Sequence, residues 1–214
     1  MGMYNMTQDL LVEPKGQSYM PVGIHENVEL TDIVVEDSKN GNPFICFYFT
    51  NEKGERVTKT EWPVIAKTSL EEMSDTEKQA HMSKVNNQMS RICLIAGQFV
   101  DKSELIFSAN SFKDFILRIK TIIGNRYTGV KLRLKVVYDY NDWATLPSYV
   151  KIPWIERMDK VTKEKSRITI VAGTDKMEKS SPDARPENRN PLFESTTMPD
   201  TPETPSERNG DLPF

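Results

Sequence analysis

Lys131, Arg133 and Lys135 alternate with Val130, Leu132, Leu134 and Val136 in the run GVKLRLKVVYDY. On an extended strand, alternate residues share a face, so the three cations form a row with steps of about 6–7 Å. Such a row suits the phosphates of an extended single strand. The run leads into Tyr138, Tyr140 and Trp143, and the same interleaving recurs elsewhere. Lys59 stands near Trp62, Arg126 adjoins Tyr127, and Lys151 lies between Tyr149 and Trp154. Cations that track a phosphate backbone, beside rings that stack on bases for ~1–3 kcal/mol each, are the means of holding single-stranded nucleic acid. The candidate contacts are therefore Lys59, Trp62, Arg126, Tyr127, Lys131, Arg133, Lys135, Tyr140, Trp143 and Lys151. Trp143 is the strongest stacking candidate, because its surroundings, YNDWATLP, are a polar loop. Phe47, Phe49, Phe112, Phe115 and at least one of Tyr138 and Tyr140 are expected in the core.

Other chemistries find less support. His25 and His81 lie far apart and have no cysteine or histidine at ligand spacing, so neither a zinc site nor any other metal or cofactor is expected. No GxxxxGK[ST] phosphate loop occurs. The carboxylates are plentiful but ungrouped, and no catalytic residue is assigned. Two alternatives to a non-enzymatic nucleic-acid binder stay open: a protein-interaction scaffold, and a nucleic-acid-processing enzyme with carboxylates scattered along the chain. Cys46 and Cys93 both sit in apolar runs, which suits buried free thiols and a reducing cytoplasm. No signal peptide or membrane-length apolar run is read, and a membrane partner is not expected.

These residues need strands to position them. HENVELTDIVVEDS begins with alternation and then breaks it at Ile33, Val34 and Val35, as a bulged or bent strand does. KNGNP and NEKGE are turn signals that separate it from FICFYFT (44–50) and RVTKTEWP (56–63). FICFYFT is apolar on both faces, as a central strand is, or as a strand with one face in the core and one presenting aromatics. The period then becomes helical. Met82, Val85, Met89, Ile92 and Ala96 share a stripe, Ser74 with Glu77 forms a capping box, and Gly97 closes the helix. A second helix starts near Ser111 with Asp114, and its stripe is Phe112, Phe115, Ile116, Ile119 and Ile123. GVKLRLKVVYDY is the fourth strand and SYVKIPWIERM (148–158) the fifth, with Pro153 pushing its later half to an edge. RITIVAG offers a short last strand. This order predicts a mainly β fold with a helical insertion near 69–123: the five-stranded Greek-key barrel of the OB-fold, whose flanked face binds oligonucleotides.

Of 214 residues, 37% are hydrophobic, and the shortfall is local. Residues 174–214 hold seven of the thirteen prolines and cannot bury enough apolar surface to offset chain entropy. The expected organisation is a flexible arm over 1–17, the OB domain over 18–173, and a disordered acidic tail over 174–214. Charge divides in the same way. Residues 102–173 carry 14 Lys and Arg against 7 Asp and Glu, a net of +7. Residues 1–101 net −6 and residues 174–214 net −4. A basic segment followed by an acidic tail points to a polyanion partner.

The chain ends in DLPF. With the barrel order and the acidic Pro-rich tail, this resembles the single-stranded DNA-binding proteins of bacteria and their phages, which end in a short acidic run and Ile-Pro-Phe. Residues 21–63 are also similar to the first strands of such proteins from tailed phages. The helical insertion is foreign to the bacterial members and favours a phage version, which would act in the bacterial host cytoplasm. The resemblance implies a protein that coats single-stranded DNA during replication, recombination and repair, and leaves a homo-oligomer open. It implies that Asp211, Leu212, Pro213 and Phe214 form a docking tip for replication and recombination proteins. Phe214 would enter an apolar pocket while its carboxylate meets a partner cation, and Pro213 would limit the entropy lost.

Overall fold

A computed structural model describes residues 18–66, 68–69 and 71–180. The chain divides into two units, Met1–Lys179 and Ser180–Phe214, and the fold below belongs to the first. The expected arm over 1–17 and the tip at Asp211, Leu212, Pro213 and Phe214 lie outside the described residues.

The domain is mainly β. Strands β1 (Gly23–Asp37), β2 (Pro43–Thr50) and β3 (Arg56–Glu61) form an antiparallel meander, as their turn signals predict. Helices α1 (Asp75–Ala96) and α2 (Phe112–Ile123) follow, and then β4 (Leu132–Tyr138), β5 (Ala144–Thr145) and β6 (Ile155–Arg157). The sheet has six strands in the order β3-β2-β1-β4-β5, with β6 also paired to β4. The fifteen-residue β1 serves two neighbours. Its later part pairs with β2 and its earlier part with β4, with register shifts between Leu30 and Asp32 and between His25 and Val28. The irregularity that the sequence suggests at Ile33, Val34 and Val35 lies earlier in the strand: residues 32–37 pair with β2 in continuous register.

Two expectations about the strands are corrected. The sheet has six strands rather than five, and among the described residues no ladder joins β3 to β5 to close it. The predicted strand over 148–158 is reduced to Ile155–Arg157; Pro153, which has no backbone N–H to give a ladder, stands two residues before it. Residues 167–173 pass without joining a ladder.

Both helices start at their predicted caps. Ser74 Oγ accepts from Glu77 N–H, while the Glu77 carboxylate accepts from Ser74 N–H at 2.9 Å. Ser111 Oγ accepts from Asp114 N–H at 3.1 Å. Of the α2 stripe, Ile116, Ile119 and Ile123 are buried, each contributing about 1.5–3 kcal/mol relative to exposure. α1 docks only through its second half, at Gln88, Ile92, Ile95 and Ala96, and Met82 stays exposed. The core joins these faces to Ile45, Phe47 and Phe49 of β2, Leu132, Leu134 and Val136 of β4, and Trp154. Phe112 and Phe115 pack against it, half-buried. Neither Tyr138 nor Tyr140 belongs to it. Cys46 and Cys93 are free thiols. Among the described residues, no helix is long and apolar enough to cross a membrane.

Candidate nucleic-acid interface

The basic row on β4 does not face water, which corrects the expectation of an exposed cationic face. Arg133 is 3% exposed and Lys135 0% exposed. Arg133 donates to Glu156 on β6, its direct neighbour across the ladder, and to Glu26 Oε1 at 3.1 Å. Lys135 Nζ lies 2.6 Å from Asp175 Oδ2 and donates to Thr169 O at 2.7 Å. Asp175 also accepts from the Tyr149 hydroxyl at 2.6 Å and from Val171 N–H at 2.7 Å. The residues that cover Lys135 thus include Asp175, which composition assigned to the tail; the folded unit extends past residue 173. Of the three cations only Lys131 reaches solvent, and it pairs with Glu29 at 3.0 Å.

Lys59 is corrected in the same way. β3 turns it inward, where its Nζ donates to Leu146 O and Ser148 Oγ, both at 3.1 Å, with Glu61 at 4.0 Å. These bonds bridge β3 to the chain that follows β5, where no ladder does so. Burial lowers the Lys59 pKa to about 8, against the pull of Glu61. The unfolded chain, with lysine near pKa ~10.4, then binds more protons than the folded one between those values. Lys59 should therefore make stability rise with pH between about 8 and 10, and Lys59→Met should flatten that rise in urea midpoints measured across the window.

Arg126 is held by the Glu104 carboxylate, at 2.7 and 2.8 Å. Tyr127 sets its ring edge against Phe99, with centroids 6.3 Å apart. Lys151 is exposed, and with Lys160, Lys165 and Arg167 it has no ion-pair partner among the described residues.

The aromatic candidates fare differently. Trp143 is 69% exposed and Tyr140 87% exposed, both on the turn between β4 and β5. That turn is fixed by its own chain. Tyr138 pairs with Ala144, and Asp139 Oδ1 accepts from Asn141 N–H at 2.8 Å and Trp143 N–H at 2.9 Å. Asp142 adopts a left-handed backbone (φ 64°), which closes the turn. Two rings therefore stand in water on a firmly hydrogen-bonded hairpin.

A second aromatic surface lies on the outer face of β2 and β3. The register places Asp32, Tyr48 and Thr58 in one row and Val34, Cys46 and Thr60 in the next. One step on, Phe44 meets Trp62, with ring centroids 4.6 Å apart. Trp62 is 47% exposed, and Gln88 of α1 fixes its backbone by donating to its carbonyl. Gln88 and Arg91 both grip Glu61, Arg91 with two bonds at 2.6 and 2.8 Å. The candidate list from sequence misses Phe44 and Tyr48. Their signal is parity, since Phe47 and Phe49 face the core and residues 44 and 48 must face away from it.

The ten candidates thus form separate groups: an interior ionic set at Lys59, Arg133 and Lys135, a paired rim at Arg126, Tyr127 and Lys131, and exposed groups at Trp62, Tyr140, Trp143 and Lys151. Among the described residues, no group of three or more His, Cys, Asp or Glu could hold a metal ion. No protein-family model matches the chain, and no curated protein matches it either.

Proposed function

We propose that this domain binds single-stranded DNA without strong sequence preference and acts as a non-enzymatic coat in replication, recombination or repair. The observation that carries the reading is a set of exposed rings: Tyr140 and Trp143 on their fixed hairpin, and Trp62 at the end of β3, with half-buried Phe44 against it and half-buried Tyr48 on the same face of β2. Large exposed rings on rigid backbone are a binding surface by default, and unstacked bases are ligands that rings of any neighbourhood accept. The strand order, with a bent β1 shared between β2 and β4, supports reading the sheet as an OB-type Greek-key barrel with β6 added. Asp32 and Glu36 line the β1 side of the β2–β3 aromatics, which disfavours phosphates there. The β3 side presents exposed Arg56, Thr58 and Thr60, and the backbone of a bound strand belongs on that side. The resemblance adds recruitment of partner proteins through residues 211–214.

Fluorescence anisotropy of a labelled oligo-dT tests the reading. The expected result is binding that tolerates sequence change, prefers single over double strands and weakens as salt rises. No shift with micromolar protein at low salt overturns it. Deleting residues 211–214 should leave oligonucleotide affinity unchanged and abolish capture of replication or recombination proteins.

A second reading, a protein-interaction scaffold, draws on one specific feature. A groove of about 340 Å³ opens beside α1 and α2, lined by Pro63, Val64, Val85, Met89, Phe107 and Phe112 among others. The same oligonucleotide titration separates the two readings.

A further inference from the structure

The turn that carries Tyr140 and Trp143 is also braced from elsewhere in the chain. Lys176 Nζ stands 2.6 Å from Asp142 Oδ1 and donates to Asp139 O at 3.3 Å, while the Lys176 carbonyl accepts from Tyr138 N–H at 2.8 Å. One residue therefore touches the last residue of β4, the first residue of the turn and its left-handed residue. The Asp142 side chain is only 3% exposed, so its carboxylate depends on a nearby cation. A non-glycine residue at φ 64° persists only where its surroundings over-determine it. Lys176 is in turn fixed by its neighbour, because Asp175 is bound by Lys135, Tyr149 and Val171.

We infer that Lys176 is a positioning residue for the single-strand interface: it clamps the β4–β5 turn so that Tyr140 and Trp143 are held ready to stack. The inference rests on the single-stranded DNA reading for its consequence, though not for its geometry. It also makes the segment after β6 part of the interface, as the support that holds the rings in place.

The test uses full-length Lys176→Ala, Lys176→Arg, Asp142→Asn and the Lys176→Ala/Asp142→Asn double variant, each checked for an unchanged melting transition. Should Lys176→Ala fail to fold, Lys176→Gln takes its place. Affinity for oligo-dT is measured across a range of salt. Positioning predicts that Lys176→Ala weakens binding about fivefold, the equivalent of part of one base stack. Lys176→Arg should restore binding, and the double variant should lose less than the two single losses combined. The slope of log affinity against log salt should stay the same. A direct phosphate contact would instead lower that slope by about one, and that result overturns the inference.

A second readout needs no DNA. In a Trp62→Phe background, with Trp154 buried in the core, the time-resolved anisotropy of the solvent-exposed indole reports on Trp143. Lys176→Ala should add fast local motion there, and unchanged motion overturns the inference. If the wild-type chain binds no oligonucleotide, the single-strand reading fails by itself, while this measurement still decides whether Lys176 holds the turn.

Discussion

Asp175→Ala is expected to destabilise the domain by about 3–5 kcal/mol, as removal of one partner from a buried ion pair does. Both side chains of the Lys135–Asp175 pair are 0% exposed. The substitution would strand the Lys135 ammonium in the interior and take the acceptor from the Tyr149 hydroxyl and from Val171 N–H. Burial alone would raise the Asp175 pKa, but the bonds from Lys135, Tyr149 and Val171 prevail and hold it below its usual value. A depressed carboxylate pKa stabilises the fold above the unfolded value, ~3.9, and that contribution is lost as pH falls further. The gap in urea midpoint between wild type and Asp175→Ala should therefore be full at pH 7 and shrink below about pH 4. Replacing both partners with apolar residues, as in Lys135→Met/Asp175→Leu, should cost less than Asp175→Ala, since neither charge is then stranded, although the Tyr149 hydroxyl, Val171 N–H and Thr169 O still lose their partners. A near-neutral Asp175→Ala would show that the pair is not buried in solution. The same logic governs charge reversal at Arg133 or Lys135. Such variants should lose DNA binding because they unfold, so they cannot serve as probes of the interface.

What could be read from the sequence was what is decided locally. The Ser74–Glu77 capping box and the Ser111 cap each depend on residues a few positions apart, and each is present. So is the exposed Trp143, whose turn is built largely by Asp139 and Asp142 beside it. The alternation of β4 was also legible, but alternation says only that the two faces differ. Whether the polar face meets water depends on what covers it. Glu26 lies 107 positions from Arg133, and Asp175 lies 40 from Lys135. Nothing within the strand announces those partners, so a neutralised interior row reads as a cationic surface. Regional charge shares this blindness, because a net of +7 over residues 102–173 is unaltered by pairing with acids elsewhere. Asp175 was placed with the tail because proline-rich composition was averaged over a window wider than the few residues that anchor it. Lys59 stands near Trp62 in sequence, but residues three apart on a strand point to opposite sides, so closeness along the chain says nothing of a shared face.

Trp143→Ala and Trp62→Ala should each weaken oligo-dT binding by about 1–3 kcal/mol, or roughly five- to 150-fold, with the double variant close to the product of the two. The near-product follows from placement: Trp143 sits on the β4–β5 turn and Trp62 at the end of β3, where they touch different neighbours, Asp139 for Trp143 and Phe44 and Gln88 for Trp62. Stability should respond unequally. Trp143 is 69% exposed, so its loss should barely move the urea midpoint. Trp62 stacks on Phe44 at 4.6 Å, so its loss should cost a fraction of a kcal/mol up to about 1.5. Trp154→Ala is the contrasting control. That ring is 1% exposed in the core, and its removal should cost about 3–5 kcal/mol of stability. Intrinsic tryptophan fluorescence gives an independent check, since stacking of bases on exposed indoles should quench the wild type more than either single variant. Trp143→Ala binding within twofold of wild type, with quenching intact, would remove the Trp143 ring from the interface and leave Tyr140 and the β2–β3 surface to carry the strand. If the tryptophan at 62 were equally dispensable, indole stacking would no longer account for binding, and Tyr140 with the exposed cations Lys151, Lys160, Lys165 and Arg167 would remain to hold the strand.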